Sequence, residues 1–339
     1  MKKLGAASHI GFAIAALAAG GVGALAAADT DDALRREATA LFGQVAASTD
    51  ALSPQAELGR ALFWDTRLSS DGKTACASCH FARDWGADRR RFSPDARGVP
   101  TSRHSPTIFN SMSQPVLRWL GDRKSGADQA ESSLTGSMGF ASKELGIAKL
   151  AELEYLPKFR AAFAQDAEPL SPANYARALA SYQATLTTPA PFDRFLAGDS
   201  AALSERQKAG LKTFVAMGCA GCHNGTNFGG TMMQKFGLMR DYWLETGSDK
   251  PDAGRYAITK KEEDRFVFRV PMLRNVAKTA PYFHDGSVES LDRAIRIMAL
   301  VQLGRTLDDA EAASIAAFLE SLTGNVPANY APPGLQPGN

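Results

Sequence analysis

The sequence predicts a mainly α fold in two domains, and three observations carry that expectation. Apolar residues recur at helical spacing in several capped segments, whereas strand-like patterning is confined to one short region. The chain has 339 residues, enough for two domains of ordinary size. All four cysteines fall in two Cys-x-x-Cys-His pentapeptides, Cys76-Ala-Ser-Cys79-His80 and Cys219-Ala-Gly-Cys222-His223. Two thiols three positions apart on a helical turn can each form a thioether to a haem vinyl group, and the adjacent histidine then reaches the iron as proximal ligand. Zinc pairs would lie roughly 15 to 20 residues apart, whereas about 140 residues separate these. Neither a zinc ribbon nor a finger explains a histidine after both pairs. The motifs therefore predict two covalent c-type haems in two cytochrome c-like domains, with a minor β-hairpin in the second.

Residues 1–28 read as a signal peptide: Lys2 and Lys3, an apolar run from Ile10 to Leu25, then Ala26, Ala27 and Ala28. Export to the periplasm follows, where covalent haem attachment takes place. Asp32 to Ala47 is patterned as an amphipathic helix, and Glu57 to Trp64 as another that ends in a turn before CASCH. From Phe81 to Arg103 there is no periodicity, so a long loop is expected beside the first haem. Ser171 and Pro172 open a helix over Ala173 to Leu186, and the prolines that follow place a boundary near 190. The first haem domain is thus 29–190 and the second 191–326.

The second domain begins with a capping box, Ser204 to Gln207, whose helix stops at Gly218 just before CAGCH. Arg255 to Ile258 and Phe266 to Val270 flank a charged stretch and read as the two arms of the hairpin. Helices over Val288 to Val301 and Asp308 to Leu322 complete the fold, and 327–339, rich in proline and glycine, reads as a loose tail. No internal repeat is evident beyond the haem motif. Loss of Lys2 and Lys3 with the leader lowers the basic count from 38 to 36, equal to the 36 acidic residues. No basic stripe interleaved with aromatics is present, which excludes nucleic acid as a partner.

The segment from Phe268 to Gly304, FRVPMLRNVAKTAPYFHDGSVESLDRAIRIMALVQLG, resembles the C-terminal domain of the bacterial di-haem cytochrome c peroxidases. ELGRALFWDTRLSSDGKTACASCH and SRHSPTIFN, in the first half, are similar to the same family. The resemblance implies that Met298 is the distal ligand of a high-potential C-terminal haem; a soft thioether opposite histidine suits an iron that stores and passes an electron. It also implies that Trp119 relays electrons between the haems, that Gln129 belongs to the catalytic region, and that His284 lies near the inter-domain face. The backbone carbonyls of Thr279 and Pro281 match ligands of a family calcium site, with His104 in place of an asparagine. The implied reaction is reduction of hydrogen peroxide at the low-potential N-terminal haem, with a small cytochrome c or cupredoxin as donor and a homodimer as the assembly.

Two departures from the family pattern concern that reaction. The loop histidine that caps the N-terminal haem in many members falls on Ala96, which predicts a distal face open without activation. The family's acid-base glutamate falls on Gly139, or on Ser137 with a small gap, and loss of such a group typically costs about two to four orders of magnitude in rate. Glu131 and Glu144 are the neighbouring carboxylates. The arginines at 83, 89, 90 and 91 are candidates for holding propionates or guiding an acidic partner. Two other functions fit the haem motifs: a MauG-like oxidase that modifies a partner protein, and a non-enzymatic electron carrier or sensor.

Overall fold

The structure, a computed structural model, describes residues 18–47 and 51–335. Of the expected signal peptide, residues 1–17 lie outside the described residues. The first helix, α1 (Ala18–Leu41), is followed in the first half by α2 (Pro54–Trp64), α3 (Gly126–Ser133), α4 (Lys143–Glu152), α5 (Leu156–Ala162) and α6 (Pro172–Ala184). The second half contains α7 (Pro191–Leu196), α8 (Glu205–Ala216), α9 (Tyr242–Thr246), α10 (Tyr256–Thr259), α11 (Leu291–Leu303) and α12 (Asp309–Glu320). Among the described residues, no helix is long and apolar enough to cross a membrane.

The helix starts follow local chemistry. Ser53, Ser171 and Ser204 each accept a backbone N–H in the first turn of the helix they open, and Gln207 returns the bond to Ser204. Gly218, at φ 89, turns the chain from α8 into CAGCH. α1 ends at Leu41, short of the expected Ala47, because tertiary contacts replace helical ones. A Cβ at Gly43 would lie 2.2 Å from Thr226 Oγ1, and Arg274 donates to the Gly43 carbonyl at 3.0 Å.

The two halves share one packing device. In each, the helix before the haem motif crosses a later helix so closely that only glycine fits at the crossing. A Cβ at Gly59 on α2 would sit 2.0 Å from the Ala178 carbonyl oxygen on α6, and one at Gly210 on α8 would sit 1.9 Å from the Ser314 carbonyl oxygen on α12. A repeat thus exists beyond the motif itself. The expected hairpin does not form: Arg255 to Ile258 lies largely within the short helix α10. Instead β2 (Val267–Arg269) pairs antiparallel with β1 (Met233–Lys235), in the register Met233 opposite Arg269.

Among the described residues two large hydrophobic cores form beside two smaller clusters, and the chain ends cross between the large ones. Leu34, Ala38 and Phe42 of the N-terminal segment pack with Phe192, Phe214 and Phe318, in the core of the second half. Tyr330, from the C-terminal end, packs in the first core with Phe63, Phe109 and Tyr182. The expected boundaries at 29 and 326 therefore do not follow the packing; Leu186 packs in the first core and Phe192 in the second. Nor is the tail loose up to Leu335: Arg60 donates to the carbonyls of Ala331, Pro332 and Leu335, and Tyr330 is 1% exposed.

A buried guanidinium secures the crossing at the N-terminal end. Arg274 donates to both carboxylate oxygens of Asp193 at 2.7 and 2.9 Å and to the carbonyl of Thr226 as well as Gly43. Asp193 in turn accepts the backbone N–H of Val45. Leaving either charge alone here would cost about 3–5 kcal/mol.

Candidate haem sites

Each Cys-x-x-Cys begins as a single tight helical turn, Cys76–Ser78 and Cys219–Gly221, so both thiols project from one turn. None is in a disulfide. Burial pushes the Cys76 thiol up to about 12 and the Cys219 thiol up to about 11. A redox dithiol requires the opposite shift, toward an easily formed thiolate.

The histidines are held alike. His80 Nδ1 lies 2.8 Å from the Gly86 carbonyl and His223 Nδ1 lies 3.0 Å from the Phe228 carbonyl. A carbonyl only accepts, so Nδ1 carries the proton and Nε2 keeps its lone pair for iron. Pro106 and Pro271 supply a second carbonyl near each ring. Burial lowers both imidazoles below their ordinary value, favouring the neutral ligand form.

At the second motif one cavity is lined by Cys219, Cys222, His223 and Met298 together. Met298 reaches it from α11, with Ser290 capping the helix start and Gly304 closing its end. The remaining walls are mostly apolar and include Leu273, Ile295, Phe268 and Trp119. A haem fits this donor set: paired thiols, a neutral imidazole and a thioether around an apolar slot.

Trp119 lines the same cavity and is 9% exposed. Its indole N–H donates to the His104 carbonyl at 2.9 Å, the His104 N–H donates to the His284 carbonyl at 2.8 Å, and Arg269 N–H holds the Trp119 carbonyl at 2.7 Å. His284 stacks on Phe268 at 4.2 Å and meets Trp119 edge-on at 6.2 Å. Arg103, from the first half, forms a two-pronged pair with Asp252, whose carboxylate also lies 3.8 Å from His284. Burial alone would raise the Asp252 carboxyl, but Arg103 together with the Gly254 N–H and His284 holds the group below its ordinary value.

The first motif is arranged differently. The loop after it forms a small hairpin bridged between Pro94 and Pro100, and its Ala96 N–H donates to the Ser137 carbonyl at 2.9 Å. A Cβ at Gly139 would lie 3.1 Å from Ala96 Cβ and 2.4 Å from Ser70 Oγ. The two family positions thus meet in space, and neither supplies an imidazole or a carboxylate. Glu131 is engaged by Lys143, and Glu144 is exposed at the first turn of α4. Gln129 lies on α3, and its buried side-chain oxygen has no hydrogen-bond partner. The loop arginines are paired rather than free: Arg89 and Arg83 with Asp84, Arg90 with Asp88, Arg91 with the Asp285 carbonyl.

At the implied calcium site His104 puts an imidazole where an oxygen donor would stand, its Nδ1 3.2 Å from the Arg90 carbonyl, whereas calcium takes six to eight oxygens. Tyr330, unmarked in the sequence, also belongs to the first site. Its hydroxyl donates to the carbonyl of His80 itself, and its ring packs on Trp64 and Phe109. No local signal marks it, because the contact spans about 250 residues.

A mainly helical chain in which two CxxCH turns present neutral imidazoles, one of them sharing a cavity with a thioether, is a di-haem protein of the cytochrome c type. Residues 53–201 match the model of the di-haem cytochrome c peroxidase family. The chain is 40% identical over 307 residues to the cytochrome c551 peroxidase of Pseudomonas aeruginosa, covering 87% of this chain and 88% of that one. It is 32% identical over 289 residues to the methylamine utilization protein MauG of Methylophilus methylotrophus, covering 80% and 82%. The solved structure of a MauG-like protein associated with microbial copper homeostasis superposes with a TM-score of 0.70 at 28% identity, covering 84% of this chain and 93% of that one. The chain belongs to the di-haem cytochrome c peroxidase family. It is a peroxidase-type oxidoreductase that uses two haems.

Proposed function

We propose that this chain is an exported periplasmic enzyme that reduces hydrogen peroxide to water with electrons from a small cytochrome c or cupredoxin. The single observation that supports this best is the cavity shared by Cys219, Cys222, His223 and Met298. A covalent haem held there by Cys219, Cys222, His223 and Met298 would supply reversible one-electron transfer at raised potential. The chain's part is positional. The Phe228 carbonyl fixes the tautomer and orientation of His223, α11 presents Met298, and the apolar walls exclude water. Trp119, rigid between the His104 and Arg269 backbones, is the relay toward the first motif.

At the first motif, Cys76, Cys79 and His80 would hold the haem, and Ala96 stands where the family resemblance would put a capping histidine, so that loop would offer it no imidazole. Reduction of one peroxide to two waters consumes two electrons and two protons. No carboxylate at 137 or 139 relays the protons, so Gln129 orients solvent for that transfer and turnover is slow relative to relatives with the glutamate. The open face also favours a second reading, MauG-like oxidation of a partner protein.

Electron paramagnetic resonance on the oxidised holoprotein tests the assignment. One low-spin and one high-spin iron are expected, and two low-spin signals would contradict an open face. Peroxide-dependent oxidation of reduced cytochrome c above the rate given by free haem is the matching activity, and its absence would remove the peroxidase reading.

A further inference from the structure

We propose that Trp243 is the outer end of an aromatic relay through which phenolic substrates too bulky to reach either haem are oxidised one electron at a time. This rests on the peroxidase reading above. Phe236, Phe268 and His284 line the cavity of Cys219 and Met298. Behind them, Tyr242 stacks on Phe236 with centroids 4.5 Å apart and rings 12° from parallel, and meets His284 at 5.3 Å. Trp243 follows at 5.2 Å from Tyr242. From Trp119 through His284 and Tyr242 to Trp243 no step exceeds 6.2 Å between ring centroids. Tunnelling falls exponentially with distance, so a series of such steps outruns one long transfer.

The chemistry of the rings sets where an oxidising equivalent comes to rest. Tyr242 is fully buried and its hydroxyl is occupied by the backbone of Asp252, donating to the carbonyl at 3.3 Å and accepting the N–H at 2.8 Å. Burial raises its pKa. An oxidised phenol must shed its proton, and an amide carbonyl is a poor base, so Tyr242 passes the equivalent on. Trp243 is partly exposed, next to Leu244, which is 73% exposed. Its indole gives one electron to the relay and its N–H proton to solvent. A phenol at the surface then returns one electron and one proton, leaving a phenoxyl radical and intact Trp243. Two such cycles supply the two electrons that one hydrogen peroxide requires.

The test treats the holoprotein with equimolar hydrogen peroxide and a nitroso spin trap, then maps the adduct by mass spectrometry after digestion. The expected adduct is on Trp243. In Trp243→Phe it disappears, the haem bands still respond to peroxide, and peroxide-driven oxidation of tyramine-labelled dextran falls about tenfold or more. Trp243→Tyr, which restores a redox-active ring, recovers part of that loss and controls for misfolding. A normal haem response with no adduct at Trp243, or undiminished dextran oxidation in the Phe variant, overturns the relay. If the wild-type haems do not respond to peroxide, the peroxidase reading fails and the relay fails with it.

Discussion

Substituting Tyr330 tests whether the C-terminal end is part of the first haem site. The side chain does two separable things there. Its ring is 1% exposed and packs edge-on against Phe109 at 4.8 Å and Trp64 at 5.3 Å. Its hydroxyl donates to the carbonyl of His80. Tyr330→Phe keeps the packing and leaves that carbonyl without its partner, for a cost of about 1–3 kcal/mol. Tyr330→Ala removes the ring as well and opens a cavity, for about 3–5 kcal/mol. Guanidinium unfolding of the holoprotein, followed both by the haem bands and by far-ultraviolet circular dichroism, separates the two terms. The Phe variant should also shift the reduction potential of the first haem, because the lost bond bears on its proximal residue, while the second haem is unmoved. Equal stability of the wild type and both variants would refute the reasoning, and so would potentials that change at the second haem alone.

Met298→Leu removes the thioether while keeping the apolar volume, so the second haem should lose its low-spin signature and its potential should fall, as read by redox titration. Ser137→Glu should raise peroxide turnover by about two to four orders of magnitude if this position faces the site, whereas Gly139→Glu should destabilise the fold, because φ is +77° there and Ser70 Oγ lies 2.4 Å from the new Cβ. Calcium chelation by EGTA should leave both the melting curve and turnover unchanged. Asp252 is held below its ordinary value despite burial, by Arg103 together with the Gly254 N–H and His284. Its contribution is therefore full above the unfolded value of about 3.9 and is lost as the pH falls through the lower folded value; Arg103→Ala should flatten that acid limb of the stability profile.

Much of the site was legible in the sequence because its chemistry is local. The thiols and proximal histidine must share one helical turn, so Cys76 to His80 and Cys219 to His223 announce the cofactor by spacing alone. Helix starts at Ser171, Ser204 and Asp308 were readable for the same reason: a cap is a contact over three residues. Met298, about 75 residues from His223, came from family resemblance, and the shared cavity brings the two together. The β pairing failed because Val267 to Arg269 had a partner more than thirty residues away, and propensity does not report which distant edge is free.

What only the tertiary structure decided is the relation between parts. Pro106-Thr-Ile-Phe-Asn110 and Pro271-Met-Leu-Arg-Asn275 look unrelated in sequence, yet each ends in a left-handed asparagine and brings a proline carbonyl to a haem histidine. The glycine crossings at 59 and 210 repeat in the same way. Backbone geometry is shared here while side chains have diverged, so composition hides the repeat. The exchange of chain ends is likewise set by packing: Phe42 and Tyr330 each complete the core of the half remote in sequence, where the aromatic partners that bury them lie. The sequence by itself determined the cofactor and its covalent anchors, since those are fixed within five residues. The fold decided which surfaces surround each haem, since burial is a property of the whole chain.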